Sequence, residues 1–228
     1  MFGNMFANYQ VNTWMSVMAR VTMDAYSELQ EERIGVGSID VSEYNRTDRS
    51  YREFNYDLFA SFNKQLTSDI KFNGMLGTNI RKQTINSIYS ETNGGLNVPN
   101  LYSLSNSVNP LNAPSESSVA RQVNGIFADA IFGYKNYLYL DLTARRDVSS
   151  TLAPKYNTYY YPSASLSYVF TNHMPDLFKA FKMSYGKARV NFAKVGSDAP
   201  YGRTRDYFVP TTPFAGNPIY SVSSIKNE

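Results

Sequence analysis

Tyr139, Asp141, Thr143 and Arg145 take every second place in the stretch YLYLDLTARRDVSSTL (137–152), and Leu138, Leu140, Leu142 and Ala144 fill the places between. Side chains two apart on a strand share a face. The spacing therefore predicts a strand with hydroxyls, a carboxylate and a guanidinium on one side and aliphatic groups on the other. Such a polar row can hydrogen-bond water or a passing solute and can pair charges. Bond-breaking chemistry needs more than this. The chain has no cysteine, which removes thiol catalysis, disulfides and thiolate metal sites. Its one histidine, His173, gives a histidine metal cluster or a His-based catalytic pair little to build on, and as a turn residue it is expected to face solvent. The runs SLSNS and SESS have no base near them and read as loop. GVG (35–37) lacks a phosphate-loop pattern and a following helix, and reads as a turn. EERIGVG reads as an exposed charged stretch. No catalytic, cofactor-binding or metal-ligating residue is assigned, and the chain is not expected to be an enzyme.

The elements that must carry the polar row repeat its pattern. Segment 12–26 sets Met15, Val17, Ala19, Val21 and Met23 against Ser16, Arg20, Thr22 and Asp24. Segment 52–64 sets Phe54, Tyr56, Leu58, Ala60 and Phe62 against Asn55, Asp57, Ser61 and Asn63. Segment 70–81 opposes Ile70, Phe72, Leu76 and Ile80 to Lys71, Asn73, Asn79 and Arg81. In 124–134, Ile126, Ala128, Ala130 and Phe132 oppose Asp129, although Phe127 and Ile131 blur the alternation, and 163–170 alternates Ala164, Leu166, Tyr168 and Phe170 with serines. Period two over about ten residues is the strand signal. With 2–9 and 188–195, about eight strands are predicted, and only 174–183 suits a short helical turn. Arg20, Asp57, Arg81, Asp129, Tyr139, Asp141, Thr143 and Arg145 are the candidate residues for the wet face.

Short links at 11–13, 65–68 and 134–136 alternate with long polar stretches at 27–51, 82–121 and 147–159. Apolar-out, polar-in strands with short turns at one end and long loops at the other are the pattern of a transmembrane β-barrel. Aromatic residues at 15%, with 19 Tyr and 14 Phe, fit girdles at the two membrane interfaces. No apolar run approaches the roughly 18 residues of a membrane helix. The first residues show no basic region followed by an apolar run, so no signal peptide is expected there. The 22 Lys and Arg against 19 Asp and Glu are scattered, so no nucleic-acid partner is expected. Alternation alone equally fits a soluble β-sandwich, such as a lectin-like module binding through Tyr and Asn loops, and eight strands can also close into a complete small barrel.

Three runs in order, GYKNYLYLDLTARRDVSSTL, YYYPSASLSYVF and YGKARVNFAKVGSDAPYG, resemble the SusC/RagA branch of TonB-dependent outer-membrane transporters. Arg145, Asp147, Ser149, Ser150, Thr151 and Leu152 carry the first match. Tyr159, Tyr161, Pro162 and Ser163 carry the second, and Gly186, Lys187, Arg189, Val195, Gly196 and Asp198 the third. Arg146, Val148 and Ala188 depart from the pattern, and DAYSELQEERIGVGS (24–38) resembles an earlier loop of that family. The resemblance implies a 22-stranded barrel with a plugged lumen in the cell outer membrane, its outer face against lipid. It implies TonB-powered uptake of oligosaccharides or peptides, a SusD-like surface lipoprotein as partner, and no cofactor. On that footing residues 1–228 are expected to be an internal part of one barrel domain, without plug domain or the remaining strands. They should form an open sheet with free edges near 2–9 and 188–195, and 197–228 should begin another long loop with no strand in it.

Overall fold

The computed structural model of the chain describes residues 1–180, 182–197, 207–215 and 217–223. Strands β1 (Phe2–Asn12), β2 (Met15–Ile34), β3 (Glu43–Gln65) and β4 (Ile70–Glu91) are followed by a small hairpin, β5 (Asn93–Leu96) and β6 (Ser107–Asn109). Strands β7 (Ser115–Tyr134), β8 (Leu138–Ser149) and β9 (Thr158–Tyr168) come next, then helical turns α1 (Phe170–His173) and α2 (Pro175–Ala180), then β10 (Ala188–Ala193) and a second hairpin, β11 (Tyr207–Phe214) and β12 (Asn217–Ser223). One eight-stranded sheet runs in the order β1-β2-β3-β4-β7-β8-β9-β10. Its two end strands do not pair with each other, so the sheet is open, as expected, and the closed eight-stranded barrel is not what forms.

The ladders fix which side chains share a face. Tyr139, Asp141, Thr143, Arg145 and Asp147 stand opposite Gly133, Ile131, Asp129, Phe127 and Gly125 of β7, and opposite Ser167, Ser165, Ser163, Tyr161 and Tyr159 of β9. The other face carries Leu138, Leu140, Leu142 and Ala144 beside Tyr134, Phe132, Ala130 and Ala128, and beside Tyr168, Leu166, Ala164 and Pro162. Pro162 accepts a hydrogen bond from Lys194 N at 3.0 Å and has no N–H to return, which coincides with the end of the β10 ladder. Among the described residues nothing covers the apolar face: Ile126 is 53% exposed, Leu142 41% and Leu166 49%. Among the described residues, Tyr44, Leu96, Leu152 and Val169 are the buried hydrophobics, so the sheet has no apolar core. A β-sandwich needs a second sheet on that face, and the remaining sheets here are the two-stranded hairpins.

Two expectations are corrected. Strands extend well past the alternating segments, so the connection expected at 27–51 shrinks to 35–42 and that at 82–121 to 92–114, the latter containing β5, a 3-10 turn and β6. The family-like stretch 24–38 is strand as far as Ile34. A backbone ladder needs no apolar side chain to continue, so the strands run on where the alternation stops. Polar cross-strand pairs hold these extensions instead. The second correction is the hairpin β11–β12, paired antiparallel with a register shift between Thr211 and Phe214, in the stretch expected to be loop.

The chain divides into two compact units, one of Met1–Asn4, Thr22–Phe54 and Lys82–Ala120, the other of Met5–Val21, Asn55–Arg81 and Arg121–Glu228. In the first, Tyr26 stacks on Tyr51 at 4.9 Å, and Gln83 Nε2 donates to Tyr51 Oη at 2.9 Å and to Glu53 Oε2 at 3.0 Å. The 92–114 connection is organised by the buried Asn106, whose amide donates to Val98 O and Leu101 O and accepts from Val98 N. Tyr89 donates to Glu91 Oε2 at 2.5 Å, and that bond pushes its phenol up to about 12. The buried Tyr44 donates to Glu31 in the same way.

That Tyr44–Glu31 bond sets a pH window. The hydrogen bond from Tyr44, helped by Arg33, lowers the Glu31 carboxyl below its ordinary 4.5, and the same bond, with burial, raises the Tyr44 phenol above its ordinary 10.0. The Glu31 contribution is thus fully present above pH 4.5 and lost as pH falls through its lowered folded value. The Tyr44 contribution is fully present below pH 10 and lost as pH rises through its raised value. Thermal melts of wild type and Tyr44→Phe should differ by a constant amount from about pH 6 to 9, with the difference shrinking on both sides. A difference that grows below pH 4 contradicts the assignment.

Candidate functional site

The polar face of the second unit is built by carboxylate clamps and by glycines that let neighbours close in. Asp57 on β3 holds two strands: Arg20 on β2 reaches its Oδ2 from Nη2 at 2.8 Å and from Nε at 2.9 Å, and Asn79 on β4 donates to its Oδ1 at 2.6 Å. Two guanidinium N–H groups thus converge on one carboxylate oxygen while the other accepts from Asn79, and charge-assisted bonds of this kind tie the three strands together. Farther along the sheet, Arg145 Nε lies 2.8 and 2.9 Å from the two oxygens of Asp147, and its guanidinium sits 5.9 Å from the centre of the Phe127 ring. Room for this pair comes from Gly125, where a methyl group would lie 2.7 Å from both Arg145 Nη2 and Asp147 Oδ1. Gly77 in turn makes room for Phe127: a methyl group there would lie 2.5 Å from Phe59 Cβ, 2.7 Å from Phe127 Cζ and 2.9 Å from the Leu58 carbonyl oxygen.

These groups border a cleft of ≈ 270 Å³ lined by Asn55, Asn79, Arg81, Val123, Arg145, Asp147, Ser149, Tyr159, Tyr161 and Gly196. Tyr159 and Tyr161 lie nearly parallel, 12° apart with ring centres 6.5 Å apart. Arg81 makes no ion pair among the described residues. The cleft is thus bordered by the Arg81 guanidinium, the Arg145–Asp147 pair, the amides of Asn55 and of the Asp57-bound Asn79, and a pair of aromatic rings. That set suits a polar solute with carboxylate or hydroxyl groups.

The remaining wet-face candidates lie on the same face with other partners. Thr143 Oγ1 and Ser163 Oγ are 2.5 Å apart, and Tyr139 Oη donates to Asn136 O at 3.2 Å. Asp141 and Asp129 stand on adjacent strands, two residues out of register and so on one face, and Asp141 Oδ1 is buried with no hydrogen-bond partner among the described residues. The family-like residues divide by role. Arg145, Asp147, Tyr161 and Gly196 line the cleft, and Arg189 donates to Ser167 Oγ at 3.1 Å. Ser149, Ser150 and Thr151 build the end of the β8–β9 connection: the buried Ser149 and Thr151 hydroxyls meet at 2.8 Å, and Ser150 Oγ accepts from Gln122 N at 2.8 Å. Pro162 lies on the apolar face, Gly186 accommodates the Phe170 ring, and Lys187 is exposed. Asp198 lies outside the described residues. His173 is exposed, as expected, yet its ring stacks on Tyr137 at 4.2 Å and its Nδ1 is 2.6 Å from Tyr168 Oη. Among the described residues no group of three or more metal-ligating side chains could hold a metal ion.

Sequence reasoning missed the tyrosine–carboxylate and arginine–carboxylate pairs set two residues apart. Arg46–Asp48, Tyr51–Glu53, Tyr89–Glu91 and Arg145–Asp147 all bond along one face of their own strand. The available signal was the R-x-D and Y-x-E spacing, but Arg46–Asp48 and Tyr89–Glu91 fall in stretches read as long connections, and Tyr51–Glu53 and Arg145–Asp147 straddle the ends of segments read as strand.

Close packing at Gly77 gives a test. Gly77→Ala forces a methyl group against backbone and a ring, and should destabilise the fold by about 1–3 kcal/mol. Gly3→Ala enters open space, with nothing within 4 Å, and should change stability by less than about 0.5 kcal/mol. Denaturant midpoints of the two variants decide it, and equal midpoints contradict the packing described.

No family model and no curated protein sequence matches the chain. Solved structures do. The chain superposes on "Structure of the RagAB peptide transporter" with a TM-score of 0.79 at 15% identity, covering 98% of this chain and 25% of that one. The RagAB peptide importer in its "closed-closed" state gives the same values, and in its "open-open" state a TM-score of 0.78 at 14% identity. The chain thus spans about a quarter of the length of the chains it matches. At this identity the likeness establishes the fold, and that fold, a segment of a RagAB transporter chain, agrees with the SusC/RagA resemblance of the three sequence motifs.

Proposed function

We propose that residues 1–228 are part of the wall of an outer-membrane, TonB-dependent transporter of the SusC/RagA kind, belonging to a single barrel domain. The role is transport and not catalysis: import of oligosaccharides or peptides, with a SusD-like surface lipoprotein and TonB as partners of the complete protein. The observation that carries this proposal is the uncovered apolar face of an open eight-stranded sheet whose opposite face is charged and hydrogen-bonded. In water such a face is far larger than the exposed apolar patches of soluble monomers. Against lipid it is the ordinary outer surface of a barrel, and the clamped polar face then borders a wet lumen. Eight strands supply about a third of a 22-stranded circumference, which leaves two edges for other strands. The peptide named in the RagAB structures supports an amide- and carboxylate-bearing solute, which the cleft around Arg81 could contact. The stacked Tyr159 and Tyr161 would serve a sugar ring equally well.

The facing assignment is testable in the full-length polypeptide folded in lipid. Leu140→Arg places a cation on the lipid face and should cost roughly 2–4 kcal/mol, whereas Thr143→Arg on the wet face should cost much less. Reversible unfolding measures both, and equal costs would sink the assignment.

A further inference from the structure

One connection breaks the pattern at the turn end of the sheet. Links 13–14, 66–69 and 135–137 are tight, the last a turn with positive φ at both Lys135 (46°) and Asn136 (61°). The link from β9 to β10 instead runs through 169–187 and folds into α1 and α2. It is pinned to the β7–β8 link, Val169 N donating to Tyr137 O at 2.7 Å and Asn172 Nδ2 to Asn136 O at 2.9 Å, and is closed on itself by Gly186 N donating to Thr171 Oγ1 at 3.2 Å. Aromatic contacts make it continuous with the apolar face. Tyr168, opposite Leu138, lies 6.4 Å from Phe170, which packs on Phe178 at 4.8 Å, and Tyr137 links Tyr134 to His173. Although pinned, the segment leaves large apolar groups outward: Leu177 is 51% exposed and Tyr185 64%, with Met174 and Met183 also open. Among them stand the exposed Lys179, Lys182 and Lys187, against the one carboxylate of Asp176.

We propose that 169–187 is a membrane-interface anchor that lies on an anionic phospholipid surface, its Met, Leu and Tyr side chains in the headgroup boundary and its lysines on the lipid phosphates. Short apolar-and-basic helical segments lie in the interface plane in this way, and each lysine near an anionic surface adds attraction that falls off within a Debye length. Continuity with the apolar face places the segment at the depth where aromatic girdles sit. The proposal rests on the membrane-wall reading above.

Because the chain contains no cysteine, a single introduced one in a cysteine-free full-length polypeptide can carry a polarity-sensitive label. Label Leu177→Cys and, separately, Leu140→Cys, and reconstitute in phosphatidylcholine vesicles with and without about 30% phosphatidylglycerol, using nitroxide lipids at headgroup or acyl-chain depth as quenchers. The label at 140 should be quenched by the deep nitroxide in both lipids. The label at 177 should be quenched by the shallow nitroxide, about twofold more with phosphatidylglycerol, and Lys179→Gln/Lys182→Gln/Lys187→Gln should abolish that increment without changing the label at 140. Quenching at 140 with none at 177, or quenching at 177 indifferent to phosphatidylglycerol, overturns the anchor and leaves the wall standing. Quenching at neither position overturns both.

Discussion

Everything in this chain depends on the two-residue period of the strand backbone, which sorts side chains onto two faces that cannot share a solvent. Leu138, Leu140, Leu142 and their neighbours on β7 and β9 form one continuous apolar surface, and Asp57, Asp129, Asp141 and Arg145 belong to the other. A globular domain resolves this asymmetry by adding a second layer. Among the described residues there is none, and the buried hydrophobics are few. Backbone ladders and polar cross-strand bonds must therefore provide the internal cohesion, and the stability of the sheet depends on what bathes its outer side.

The polar face shows how such a wall is stiffened without a core. Asp57 gathers Arg20 and Asn79 from flanking strands, so three strands share one carboxylate. Gly77 and Gly125 remove Cβ atoms where Phe127 and the Arg145–Asp147 pair must approach the backbone. Packing on this face is thus done by aromatic rings and charge pairs seated over glycines. Ile131 and Phe127, which blurred the alternation of 124–134, belong to this arrangement: Phe127 faces inward because Arg145 covers it.

How much was legible in the sequence follows from which forces leave a periodic trace. The alternation at 138–145 specified both faces of β8, and the same pattern located most strands of the sheet, because an apolar face opposite a polar one imposes period two; the two free edges followed from the family resemblance instead. The outer lengths of β2, β3, β4 and β7 were invisible, since a ladder in water accepts polar residues on both faces and leaves no period to read. Within the candidate site, Arg81 and Arg145 could be placed on the wet face, but their meeting with Asn55, Tyr159 and Tyr161 depends on register across strands far apart in sequence. The Ser149–Thr151 run looked like family motif and is structural. Its hydroxyls cap a chain reversal, a role that composition alone does not separate from solute contact.

The order of the sheet carries a kinetic consequence. Every strand of the sheet pairs with the next along the chain, with the small β5–β6 hairpin set aside between β4 and β7 and the β11–β12 hairpin after β10, so the sheet is a meander of local hairpins. Hairpins close in microseconds, and loop-closure entropy grows slowly with length, so zippering from any one turn is cheap. The strands most distant in sequence, β1 and β10, stand at the two ends, and each leaves one row of backbone amides and carbonyls outside the sheet's own ladders. Such rows invite pairing with any passing strand. The hazard in making this protein therefore lies less in strand formation than in its two open edges.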